Sequence, residues 1–191
     1  WIEDRLFNTT TPPEEVAGIV LEVVQGEGGY VPAPTEVVKA IRRICDKHGI
    51  MLILDEVQSG MGRTGKMFAL DHHEGVKADI VCMAKGIGSG MPIGVCTARA
   101  DIMTWHKGAH ASTFGGNPVA IASALKTIEL LQGGLVENSA EVGGYLKAGL
   151  EKLKDKYECI GDVRGMGMML GVEFVTDKAS RKPDAELRDR V

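Results

Sequence analysis

The chain has 191 residues, 25 of them glycine, or about one in eight where roughly 7% is ordinary. Lys and Arg number 22 against 26 Asp and Glu, a formal charge of -4, with 25% charged and 44% hydrophobic residues. This composition is that of a chain able to form a real core: it excludes disorder, excludes collagen because the glycines have no period of three, and offers no basic surface for nucleic acid.

The first apolar run, residues 18–24, reads as a buried strand, and glycines and prolines separate it from the next helical segment. Thr35 stands as the cap of a helix whose apolar positions Val37, Val38, Ile41, Ile44 and Cys45 keep helical spacing, with Gly49 in the C-cap place after His48. Residues 50–54 form a second continuous apolar strand closed by Asp55-Glu56. Residues 79–84 form a third closed by Lys85, and 93–97 a fourth. Strands apolar throughout and joined by a helix indicate an α/β fold, with a mostly parallel sheet covered on both faces. Ligands of such sheets bind beyond the carboxyl ends of the strands, where Asp55 and Lys85 stand.

Pro118 opens a helix to about residue 131, and an amphipathic helix follows over about 135–156 with Val142, Leu146, Leu150 and Leu153 on one face. Residues 163–175 read as a glycine turn and a strand. A domain change is placed near residue 158, dividing 1–157 from 158–191. The chain starts at Trp1 and stops at Val191 inside a polar, helix-like run, so a piece of a longer protein is expected. No apolar run approaches the ~20 residues that span a bilayer, and no secretory pattern occurs, so a cytoplasmic location without a membrane partner is expected.

Cys45, Cys82, Cys96 and Cys159 are far apart, without a C-x-x-C pair, and read as buried free thiols in a reducing compartment rather than zinc ligands. His72, His73, His106 and His110 read as solvated loop positions, so no metal is expected. Met166, Met168 and Met169 read as core or interface filler. Residues 60–66 (G-M-G-R-T-G-K) approach a P-loop, but Met67 stands where Ser or Thr must hold magnesium, so a glycine-rich reversal of the backbone is expected.

Alone, Asp55 reads more readily as a structural ion-pair partner or cap, and Lys85 as a surface lysine. Together they offer a carboxylate for a protonated pyridine nitrogen and an amine able to form an imine. That pairing is what a pyridoxal phosphate enzyme needs.

The motifs Leu54-Asp-Glu-Val-Gln-Ser-Gly60, Gly62-Arg-Thr-Gly65, Ala84-Lys-Gly-Ile-Gly-Ser-Gly90 and Ser112-Thr-Phe-Gly-Gly-Asn-Pro118 resemble the class III, ornithine-type aminotransferases, and so do residues 22–29 and 162–167. The likeness runs over the whole chain with its motifs in order, and within the family it is greatest to the 4-aminobutyrate aminotransferases. The resemblance implies the large domain of a fold type I pyridoxal phosphate-dependent transferase, followed by the start of a small C-terminal α/β domain. It implies pyridoxal 5'-phosphate held by Lys85 in imine linkage, with Asp55 on the ring nitrogen, Val57 under the ring and Gln58 on the ring hydroxyl. Glu22 would lie near the cofactor, Thr113 would hold the phosphate of a neighbouring subunit's cofactor in a homodimer, and Glu27 would pair with a substrate-binding arginine. The implied reaction moves an amino group from an ω-amino donor to a 2-oxo acid. A racemase of the same family is the alternative. The family usually has proline where Val23 stands; its glycine/serine phosphate loop falls before Trp1 and its substrate-carboxylate arginine after Val191, so the isolated chain is expected to be inert. Arg164 belongs to a different motif from that arginine.

Overall fold

The computed structural model describes residues 1–191. A short N-terminal helical segment, Ile2–Leu6, runs into α1 (Phe7–Thr9). The main sheet has four strands, β1 (Gly18–Leu21), β4 (Met51–Asp55), β5 (Ile80–Met83) and β6 (Val95–Ala98), in that spatial order. β1, β4 and β5 are parallel, with Gly18 opposite Met51 and Asp55 opposite Cys82, whereas β6 runs antiparallel to β5. Two short strands, β2 (Val24–Gln25) and β3 (Val31–Pro32), pair beside it. The first apolar run is therefore split, because the chain leaves the main sheet after Leu21.

Helix α2 (Thr35–His48) connects β3 to β4. Thr35 does not cap it: Pro34 holds the N-cap position, and the Thr35 hydroxyl lies 3.0 Å from His73 Nδ1. The C-cap is as expected, with Gly49 at φ 68 donating its N–H to the Cys45 carbonyl. Val38 and Cys45 are buried, and Cys45 joins Val23, Val24, Ile50, Leu52 and Leu54 in one core. β4 alternates: Leu52 and Leu54 are fully buried, while Met51, Ile53 and Asp55 on the other face are half-buried. α2 packs on β4, and Val20 of β1 is 66% exposed.

Helix α3 (Pro118–Leu130) starts from Asn117, whose side chain accepts hydrogen bonds from the Val119 and Ala120 amides, and it packs on the turn Lys85–Gly88. A π-type turn, Leu131–Leu135, with Gly134 at φ 121, leads into α4 (Val136–Lys156). The run Pro118–Lys156 contains an 18-residue window of mean hydropathy 1.4, enough by length and composition to cross a membrane. Contiguous apolar runs do not reveal it, because polar residues such as Lys126 and Glu129 interrupt the window while its average stays high. Core helices of globular proteins pass the same test.

Residues 163–175, read as a turn and one strand, are the larger part of a hairpin: β7 (Ile160–Met166) and β8 (Met169–Phe174) pair antiparallel, and the hairpin packs on α4. The chain ends in α5 (Ala185–Arg190), capped by Asp184.

Candidate active site

The parallel register that sets Asp55 opposite Cys82 puts Asp55 and Lys85 at the carboxyl ends of neighbouring strands. One Asp55 oxygen, Oδ1, accepts from the Val57 amide at 3.0 Å, which turns the chain sharply after β4 and leaves Oδ2 for a ligand. Lys85, Val57 and Gln58 line one cleft of about 290 Å³, together with Tyr30, Met61 and Arg63. The backbone of this cleft is strained. Of five non-glycine residues at positive φ, three line it: Tyr30 at 55°, Met61 at 56° and Lys85 at 44°. Each such conformation costs about 1–3 kcal/mol and persists only where the surroundings enforce it, typically around a ligand.

Tyr30 brings the end of the segment 22–30 to this cleft. Glu22 Oε2 accepts from the Gly26 amide at 2.7 Å, and the Gln58 amide lies so close over Gly26 that a Cβ there would be 2.5 Å from Nε2. Glu22 and Gln58 are thereby brought together through one glycine. Arg164 anchors the same segment from β7, donating from Nε to the Gly29 carbonyl at 2.7 Å while its guanidinium also pairs with Asp162 at 3.1 Å and Glu173 at 2.5 Å. Burial would lower the Arg164 pKa, but those carboxylates outweigh it and hold the guanidinium above its ordinary range. It is a structural clamp, in keeping with its separate motif.

Glu27 is exposed. Thr113 is also exposed, in the turn 113–116, and is not brought to the Lys85 cleft. Its neighbours Ser112, Phe114 and Asn117 line a second cavity of about 770 Å³, which meets the first at Val57.

Sequence reasoning missed Glu56. Alternation along β4 turns Asp55 to the half-open face and Glu56 inward, where it is 1% exposed. Its carboxylate accepts from Ser59 Oγ at 2.6 Å and from the Ala69 and Leu70 amides at 3.1 and 3.0 Å. Burial pushes this carboxyl above its ordinary value, and the Ser59, Leu70 and Ala69 donors oppose that shift. The available signal was the strand period carried one residue past Asp55, with serine three residues on. Two other expectations need correction. His73 is buried, its ring held against Thr35, and Cys96 is exposed. His72 contacts the Thr64 carbonyl, so neither histidine is a solvated loop residue.

In this α/β chain a strand-end carboxylate stands one strand from a lysine that lines a strained cleft. The chain belongs to the family Aminotransferase class-III, whose profile matches residues 4–189. It is 46% identical over 168 residues to the acetylornithine aminotransferase of Caldanaerobacter subterraneus subsp. tengcongensis, covering 87% of this chain and 42% of that protein. It is 42% identical over 185 residues to the 4-aminobutyrate aminotransferase GabT of Escherichia coli, covering 96% and 43%. A solved aminotransferase from Bacillus anthracis superposes with a TM-score of 0.90 at 37% identity, over 97% of this chain and 43% of that one. The chain thus spans less than half the length of the curated relatives it matches.

The family is pyridoxal phosphate-dependent. The donor set fits that group: a primary amine at Lys85, an unshared carboxylate oxygen on Asp55, an apolar side chain at Val57 and an amide at Gln58, the last two and the amine around one cleft.

Proposed function

We propose that this chain supplies the central part of the active site of a pyridoxal phosphate-dependent transaminase. The enzyme moves an amino group from an ω-amino donor, such as 4-aminobutyrate or ornithine, to a 2-oxo acid such as 2-oxoglutarate. The observation that carries this reading is Lys85, held in a strained conformation at the end of β5, one strand from the carboxylate at the end of β4.

When bound, the cofactor supplies a ring able to take up electrons from the carbon beside the substrate's nitrogen. Lys85 would hold it, and its Nζ would take and return the proton of that carbon in both half-reactions. Asp55, through Oδ2, keeps a cationic ring nitrogen protonated, and the bond from the Val57 amide to Oδ1 fixes the carboxylate for that task. Val57 would pack against the ring and exclude water. Gln58, braced against Gly26, orients a ring hydroxyl, with Glu22 holding Gly26 in place. Thr113, standing out from its turn, reaches the phosphate of a neighbouring subunit in a homodimer. Exposed Glu27 remains available to a substrate-binding arginine, which selects ω-amino donors.

The test uses the full-length protein with pyridoxal phosphate and a panel of donors scored against 2-oxoglutarate. K85A is expected to lose both the lysine-linked visible absorbance and turnover, while D55N keeps the absorbance and loses about 100-fold or more in kcat. Transamination retained by K85A would sink the assignment.

A further inference from the structure

Cys82 on β5 and Cys96 on β6 stand directly opposite one another in the antiparallel pair, and both are free thiols. Opposed residues leave a sheet on the same face with Cα atoms about 4.5–5.5 Å apart, inside the span of a disulfide. On its other side Cys82 has Asp55 as its register partner, so Asp55, Cys82 and Cys96 form a row across three strands. Both thiols line the 770 Å³ cavity that adjoins the Lys85 cleft. Cys96 is exposed and Cys82 half-buried.

We propose that Cys82 and Cys96 form a dithiol site that exchanges with small disulfides and closes into a cross-strand disulfide beside the cofactor cleft. Cys96, the accessible member, attacks one sulfur of a small disulfide such as oxidised glutathione as its thiolate. The S–S bond of the small molecule breaks, one small thiol leaves and takes up a proton, and a mixed disulfide remains on Cys96. The Cys82 thiol then gives up its proton, and its sulfur displaces the second small thiol. In sum the two cysteines lose two electrons and two protons, and the small disulfide becomes two thiols.

The surroundings set this order. Burial pushes the Cys82 thiol up, and Cys96 and Asp55 beside it push the same way, so Cys82 is a poor first attacker. Once Cys96 carries the mixed disulfide, Cys82 faces it across the strand pair and needs no encounter from solution. Opposed Cβ atoms start about 4.5–5.5 Å apart and must approach by about 1 Å. Cys45 in the core and Cys159 ahead of β7 oppose no cysteine and serve as internal controls.

The full-length protein is incubated with oxidised glutathione, digested without reduction and analysed by mass spectrometry. The wild type is expected to yield one pair of peptides joined through Cys82 and Cys96, lighter by two hydrogens and separated by dithiothreitol. C82S is expected to stop at a glutathione adduct on Cys96, and C96S to form no cross-link. A stable adduct on wild-type Cys96 without the cross-link, or reaction at Cys159 with Cys82 and Cys96 untouched, would overturn the proposal. The wild-type cross-link is decisive by itself, so misfolding of a variant does not blunt the test.

Discussion

Asp55 and Glu56 are adjacent in the chain and face opposite ways, and the difference lies in the strand period rather than in their chemistry. Asp55 ends on the half-covered face with one oxygen tied to Val57, whereas Glu56 enters the interior and meets three donors. Those donors join the loop after β4, which carries Val57 and Gln58, to the 3₁₀ turn Ala69–His72. A carboxylate suits them because it only accepts. Glutamine has the same shape but brings an NH₂ group where an acceptor oxygen stood, so one donor would face another. E56Q is therefore expected to lower stability by about 1–3 kcal/mol in urea denaturation. In the full-length enzyme it should also weaken pyridoxal phosphate binding, through the displaced loop, without touching the cofactor. Stability and cofactor affinity both equal to wild type would contradict this role.

At the scale of elements, glycines mark where three pieces of chain meet. Gly167, at φ 54 in the turn between β7 and β8, lies against the backbone of Thr64 and Gly65 on one side and Gly143 of α4 on the other. A Cβ on Gly167 would overlap the Thr64 backbone, which cannot swing aside as a side chain can. Gly49 is the useful contrast: its φ is 68, but a Cβ there meets nothing. G49A should therefore cost about 1 kcal/mol for the left-handed backbone alone, and G167A about 3 kcal/mol or more, as measured by thermal or urea denaturation. Equal losses would show that the junction is not tightly packed. The same contrast separates what a local pattern reveals from what only the fold decides. Gly49 was legible because a helix with a regular apolar stripe ended beside it, and the strands ending at Asp55 and Lys85 were legible from their uninterrupted apolar runs. Local signals of that kind place both residues at the carboxyl edge of a sheet. The antiparallel sense of β6, the clamp from Arg164 to Gly29 and the burial of His73 under Thr35 were not legible. Each depends on a partner fixed only by the fold: Arg164 and Gly29 are 135 residues apart, and His73 and Thr35 are 38 apart.

At the scale of the chain, 29 of 191 residues are buried, and a few polar ties join its layers. The principal polar tie is Asp79. It is 5% exposed and accepts from the Leu52 amide at the centre of the sheet, from Arg42 on α2 and from Arg99 beyond β6, each at 2.7 Å. Burial by itself would raise this carboxyl, but the Leu52 amide and the Arg42 and Arg99 guanidinium groups outweigh it and hold it below the ordinary 3.8. A carboxyl depressed by folding stabilises the fold at pH values above its unfolded value, and that contribution is lost as pH falls through the folded value. D79N removes the charge while keeping the shape, leaving Arg42, only 14% exposed, without its buried partner. Loss of about 3 kcal/mol is expected near neutral pH. The gap between wild type and D79N should hold down to about pH 4 and close as the pH drops further, because the wild type then loses the same charge by protonation. Urea titrations of both proteins across that range check this: a gap that stays constant through the acid limb would assign the loss to altered packing rather than to the charge on Asp79.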